Sequence, residues 1–445
     1  METFWAGFLT VGAISAFLLV LFGIRNWPIL GIAAVCANIL IAWEVPQLNP
    51  LVNIIGTNIY PLDVLSVVFL MISFLDIKRL SDRLGSLRWM WLGFGVTIVS
   101  SLAWGILTIE AGAAVNEFRA FLYPFAAISW VVSLDWNQNF RRFSDSLPMI
   151  LGWLLVVVAA YHSARFGLGG AGEFVDPSTG LEQTTRPLVS GQALVLLFCT
   201  VMSIRTWAET NRKLPLASAI VFGLTVLVVQ QRTVWAVAAA MIVAFYFSSP
   251  ERRRGKSVIA AVVVVWALLV VLSSNIVGDL ISKVVAAAND SATYDARVVS
   301  WQNLIAESFD KGLATVLFGA PFGTGYGRFE GVGRWVEFAP HNWYVTLFLR
   351  VGLVGTSLFL LFLAGACFRV LRDRGDAAQL LILVGTVVYC WAYSVMWYTA
   401  LFVGWALIQR VNRTSDPLDE NRKLMAIQPL QRYPQSVLRR RNTHE

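Results

Sequence analysis

His341 is the residue best placed for chemistry. It sits in Phe338-Ala339-Pro340-His341-Asn342-Trp343-Tyr344, where a polar stretch beginning near residue 275 meets an apolar run, and the chain has only 3 histidines. Proline suits the first turn of a helix and biases the preceding residue to extended structure. The polar stretch is therefore expected to end here, with His341 in the first turn at a membrane–water boundary. An imidazole titrates near neutral pH and can take a proton from a hydroxyl. The alternation of apolar runs and loops puts Arg119, Arg186, Arg232 and Arg297 on the same outer side, together with Arg328 and Arg334. Guanidinium groups suit phosphate through forked, charge-assisted bonds. A proton acceptor beside fixed cations fits a reaction that expels an anion, such as the pyrophosphate of a lipid-linked sugar, and arginines can neutralise that charge without a metal. The outer loops hold no paired carboxylates at DxD spacing, so metal-assisted sugar transfer is not expected. Taken singly, each residue also has a plainer reading: a snorkelling or ion-paired arginine, or a boundary histidine. His162, at the end of a run, and His444, in the tail, are assigned to such roles.

These residues must be positioned by helices in a bilayer. Of the 445 residues 57% are hydrophobic and 14% charged, against about 25% charged in a soluble domain. Long continuous apolar runs point to helices rather than a barrel. The expected fold is an all-α polytopic membrane protein of about 12–13 transmembrane helices with one long structured external loop before a late helix, a crossing taking about 20 residues. The runs are 5–24 (retained, not a cleaved signal), 27–43, 59–75, 89–108, 118–134, 147–163, 188–204, 214–247, 257–273, 341–368 and 380–408. The run 214–247 is interrupted by Gln230-Gln231-Arg232-Thr233 and reads as two short helices with a tight external turn; 380–408 also reads as two short spans. Lys78, Arg79, Arg83, Arg88, Arg205, Arg369 and Arg372 mark internal loops, so the net charge of +8 reflects membrane topology and not nucleic-acid binding. The chain divides into transmembrane helices over 1–274, a large external loop over 275–340, C-terminal transmembrane helices over 341–409 and a basic cytoplasmic tail over 410–445. The tail is expected to be disordered and drawn to anionic lipid.

Within the long loop, Val299, Trp301, Leu304, Ile305 and Phe309 recur at helical spacing, as in a helix lying on the membrane or capping a cavity. The glycines over 319–333 follow no strand-to-helix pattern, which argues against a phosphate loop. Gly352 and Gly355, three residues apart, would admit a neighbouring helix closely. Asp63 is expected to serve a helix N-terminus, with a proton relay as the alternative. Cys36, Cys199, Cys367 and Cys390 lie in apolar runs without CxxC spacing, as buried small side chains rather than disulfides or metal ligands.

The segment His341-Asn342, nine residues, Gly352, two residues, Gly355 resembles the signature of the bacterial O-antigen ligase and O-antigen polymerase superfamily. Gln231-Arg232-Thr233-Val234-Trp235 between two short spans, Arg297 four residues before Trp301, and the glycine run over 317–327 are similar to the same family. The resemblance covers 186–355; Arg350 departs from it, standing where an acidic or neutral residue is expected before Gly352. It implies metal- and cofactor-independent, inverting glycosyl transfer from an undecaprenyl-pyrophosphate-linked glycan, on the outer face of a bacterial cytoplasmic membrane, to a glycan or lipid-linked acceptor. By that resemblance His341 activates the acceptor hydroxyl, Arg232 and Arg186 hold the pyrophosphate, and Arg297, Arg119, Asn342 and Trp301 contribute to substrate binding.

Three readings compete. The first is polymerisation of lipid-linked repeat units, with ligation of finished glycan to lipid A core or another acceptor as its close rival, since donor chemistry is shared. A transporter of lipid-linked sugars would carry inverted repeats and polar residues near the bilayer midplane, and neither is evident. A non-catalytic scaffold leaves the arginine–histidine set unexplained.

Overall fold

The computed structural model describes residues 2–41, 50–54, 57–136, 138–166, 173–175, 182–184, 186–248, 292–330, 334–373, 376–395 and 397–408. The expected span 257–273, the start of the long loop (275–291) and the tail from 409 lie outside them.

The described chain is mostly helical. In order run α1 (Glu2–Asn26), α2 (Pro28–Ile41), α3 (Pro61–Leu75), α4 (Ile77–Leu84), α5 (Arg88–Thr108), α6 (Ala111–Ser133), α7 (Gln138–Phe166), α8 (Ser190–Thr210), α9 (Lys213–Val228) and α10 (Arg232–Ser248). Then come α11 (Ala292–Asp310), α12 (Leu313–Phe318), α13 (Trp343–Arg372), α14 (Ala377–Tyr389) and α15 (Ala400–Leu407). Three two-stranded hairpins, unforeseen from sequence, punctuate the connections: Val52–Ile54 with Thr57–Ile59, Glu173–Val175 with Glu182–Thr184, and Arg328–Glu330 with Arg334–Val336.

Ile77–Thr108, Asp145–Arg165, Ser190–Thr210 and Trp343–Arg372 are long and apolar enough to cross a membrane. A fifth crossing results if Ser15–Asn26 and Pro28–Ile41, bent by 103°, form one broken span. The run 118–134 lies in the 23-residue α6, whereas Pro61–Leu75, Lys213–Val228, Arg232–Ser248, Ala377–Tyr389 and Trp397–Leu407 are apolar helices of 10–17 residues, shorter than the roughly 20 a straight crossing takes. The protein is thus an all-α, multi-pass membrane protein. The run 214–247 does split into α9 and α10, with Gln230 at φ 58 in the turn.

Residues 76–88, expected as a loop, are instead helical and carry buried Leu80 and Leu84. Their arginines terminate a neighbouring helix. Arg79 donates to the carbonyl of Ser133 (3.2 Å) and Arg83 to that of Val132 (2.6 Å) and to Leu134. These satisfy acceptors that the last turn of α6 leaves without intrahelical partners. Arg369, at the same end, donates to Leu84 (2.9 Å) and Leu407 (2.5 Å). Arg205 joins α8 to the N-cap of α14 through Asp376 and also pairs with Glu209 at 3.1 Å. The opposite end of the bundle holds His341.

The core is strongly aromatic. Trp130 stacks on Phe69 at 4.0 Å, and Trp91 packs on Phe125 and Phe362, each at 4.6 Å. Phe121 brings α6 against Trp343 (4.8 Å) and against Phe322 of the glycine run (5.0 Å).

α13 is broken at Gly352, whose φ of 61 and ψ of −167 are not helical. A Cβ there would stand 2.3 Å from the Leu317 carbonyl, and one at Gly319 (φ 85) would stand 2.4 Å from the backbone of Arg350. The end of α12 therefore packs directly on the backbone of α13, and Ala320 N–H donates to the Leu349 carbonyl at 2.7 Å. Gly352 thus admits the last turn of the short helix α12, and Gly355 faces Thr97 of α5.

Candidate functional site

α13 starts at Trp343, so His341 lies two residues before the helix and not in its first turn. Asn342 is the N-cap: its side chain accepts from the backbone N–H of Tyr344 (3.0 Å) and Val345 (3.2 Å). Asn is a preferred cap because its short acceptor reaches orphan donors of the first turn. Trp343 is almost fully buried, and its backbone N–H donates to the Cys390 carbonyl at 2.9 Å, tying this turn to the end of α14. His341 is consequently held at the surface, its ring centre 5.5 Å from that of Phe338 and 6.0 Å from that of Tyr393. The protein atoms packed round the ring, then the charges of Arg297 and Arg328, push its pKa down to about 4. The imidazole is therefore neutral at pH 7 and able to accept a proton.

Arg297 rises from α11, which forms as its spacing predicts. Trp301 and Leu304 of this helix pack against Tyr326, Val345 and Leu349, and Trp301 meets Trp391 edge-on at 6.0 Å. Trp301 is thus a buried anchor of α11. Its contribution is to hold the helix that carries Arg297.

Arg186 is tied to the residue that precedes Arg232 in the chain. Gln231 accepts from Arg186 Nη1 at 3.2 Å and donates to the Leu188 carbonyl at 2.8 Å. Arg232 is the first residue of α10, so the Arg186 guanidinium lies against the residue just before a helix N-terminus, a setting that favours anions through backbone N–H groups and the helix dipole. The start of α8, four residues after Arg186, connects to the histidine through aromatic residues. Tyr389 donates to Ser190 Oγ at the start of α8 (3.0 Å) and stacks on Tyr393 (5.3 Å), which faces His341.

Arg119 is placed otherwise. It is buried, pairs with Asp63 at 2.9 Å, donates to Asn116 and the Asn58 carbonyl, and lies 4.8 Å from the Tyr60 ring. Asp63 also accepts from Tyr60 N–H (2.8 Å) and Tyr123 OH (2.7 Å). The carboxylate caps α3, as its position near the helix start implied, and the arginine is committed to it.

Arg350, the departure from the family pattern, is equally committed. It makes a forked ion pair with Glu117, with Nη2 3.1 Å from Oε1, donates to the Gly325 carbonyl and stacks 4.1 Å from the Tyr326 ring. Glu117 in turn accepts from the N–H groups of Gly323 (3.0 Å) and Gly325 (2.7 Å). The glycine run is therefore clasped between α6 and α13. A small cavity lined by Glu307, Ser308, Lys311, Tyr326 and Arg350 adjoins it and does not include His341.

Sequence reasoning missed Glu117, Tyr393 and the role of Arg328. None stands in a local pattern; each acquires its partners only through the fold. Comparison with known proteins finds no matching family model, no matching curated protein and no matching solved structure.

Proposed function

We propose that the chain is a glycosyltransferase of the O-antigen polymerase and ligase type, acting on an undecaprenyl-pyrophosphate-linked glycan at the outer face of a bacterial cytoplasmic membrane. The observation that carries this reading is the surface-held imidazole of His341, flanked by Phe338 and Tyr393 and under the charges of Arg297 and Arg328, with Arg186 tied to Gln231 at the start of α10. In the reaction the acceptor hydroxyl oxygen bonds to the anomeric carbon while the bond from that carbon to the phosphate oxygen breaks. The electron pair leaves with the pyrophosphate, and the hydroxyl proton passes to His341. Arg186, Arg232 and the N-terminus of α10 offset the charge of the leaving group, an interaction that strengthens as that charge develops. A low imidazole pKa makes a weak base, and the donor corrects this: its negative charge beside Arg297 and Arg328 raises the pKa toward the working pH. Polymerisation of repeat units is the preferred form, with the glycan chain and lipid-linked repeat as acceptor and donor.

The test is the size and attachment of surface and carrier-linked glycans in a deletion strain complemented with wild type, His341→Ala or Arg232→Ala. Loss of polymer with single repeats still on the acceptor supports a polymerase; long polymer stranded on the carrier supports a ligase. Full activity in a well-expressed His341→Ala variant overturns the assignment.

A further inference from the structure

Arg328 opens the hairpin strand Arg328–Glu330 and is only 5% exposed. Its Nε donates to Ser300 Oγ on α11, and its Nη1 donates to the carbonyls of Tyr326 (2.9 Å) and Phe338 (2.7 Å). Its guanidinium also lies 5.1 Å from the centre of the Phe338 ring. These partners are informative by position. Ser300 follows Arg297 by three residues, one helical turn on the same face. Phe338 precedes His341 by three residues, and their rings are neighbours. One planar side chain thus ties the helical turn that bears Arg297 to the extended segment that delivers His341.

The geometry points to Arg328 as the positioning residue that holds Arg297 and His341 in register, so that a single phosphate-bearing substrate meets both. The phosphate rests on the glycosyl-transfer reading; the register itself does not. The chemistry explains why arginine is required. Its donors are fixed in a plane and point in several directions at once, whereas a lysine ammonium is a single mobile point that cannot span two carbonyls and a hydroxyl with the same rigidity. The groups facing His341 come from four segments: Arg297 from α11, Arg328 from its hairpin, Phe338 from the preceding segment, and Tyr393 from beyond α14. Both charged members are cations, so their distances from the imidazole are read directly in its titration.

The test uses the full chain in lipid nanodiscs, with the histidine side chains titrated by NMR and His341→Ala supplying the assignment. Arg297→Met should raise the His341 pKa by about 1 pH unit, the usual scale for removing one nearby charge. In an Arg328→Lys background, where the charge is kept and the ties are lost, the same substitution should move it by less than half as much. Ser300→Ala, which leaves Arg328 its two carbonyls, should also weaken the coupling and serves if Arg328→Lys is not recovered folded. An undiminished effect of Arg297→Met in these backgrounds overturns the proposal. Arg328→Lys should also lower glycan transfer at least about tenfold, a difference of about 1.4 kcal/mol in the barrier; unchanged transfer overturns the proposal as well. If His341→Ala retains transfer while the titration coupling is lost as expected, the positioning role stands and the glycosyl-transfer reading falls.

Discussion

Arg350 and Glu117 form a buried ion pair across 233 residues of sequence, and the same carboxylate accepts the N–H groups of Gly323 and Gly325. The pair is the clasp between α6, α13 and the glycine run. Breaking such a pair strands a charge that has already been removed from water. Glu117→Gln or Arg350→Met should therefore each destabilise the protein by about 3 kcal/mol. The double variant should lose less than the sum, because it leaves no unmatched charge. Thermal unfolding in detergent, with protease sensitivity of 319–327 as a local probe, measures both effects. Additive losses would show that the two residues act separately.

The break in α13 should tolerate no side chain. Gly352→Ala combines an unfavourable positive φ with a Cβ placed 2.3 Å from the Leu317 backbone. Backbone at φ 61 and ψ −167, a region essentially confined to glycine, costs any other residue about 1–3 kcal/mol, and backbone cannot move aside as a flexible side chain can. Gly223→Ala in α9, where the nearest atom is 3.9 Å away, provides the contrast and should be accepted. Comparable yields of folded protein from the two variants would refute the close approach at Gly352.

The titration of His341 has a definite sign. Its pKa, about 4 in the folded protein, lies below the roughly 6.5 of an unfolded chain. Between these values the unfolded chain binds more protons, so this residue's contribution to stability is complete above about pH 6.5 and is lost as pH falls toward 4. Inorganic pyrophosphate bound beside Arg297 and Arg328 should shift the NMR midpoint upward. A midpoint indifferent to pyrophosphate would place the anion elsewhere.

Arg119 and Arg232 should behave differently when replaced. Arg119→Ala strands Asp63 and should lower the unfolding temperature, with any loss of transfer following from the loss of folded protein. Arg232→Ala should abolish transfer at normal abundance. Quantifying membrane-inserted protein alongside glycan product separates the two. A fully stable but inactive Arg119→Ala would return Arg119 to the substrate site.

The longer apolar helices among the described residues, the split of 214–247 and the capping role of Asp63 were legible in the sequence because run length, periodicity and cap chemistry are properties of neighbouring residues, whereas the helix over 77–84 was not. α11 was legible for the same reason, from the spacing of Val299, Trp301, Leu304 and Ile305. Positions of catalytic type could be nominated but not sorted. Tertiary structure alone decided that Arg119 and Arg350 are bound to carboxylates, that Asn342 caps a helix and Trp301 anchors one, and that Arg328 bridges Ser300 and Phe338. A guanidinium carries the same charge wherever it stands. Whether it is held by a carboxylate, held by carbonyls or directed at a histidine depends on which distant segments the fold brings within hydrogen-bonding distance.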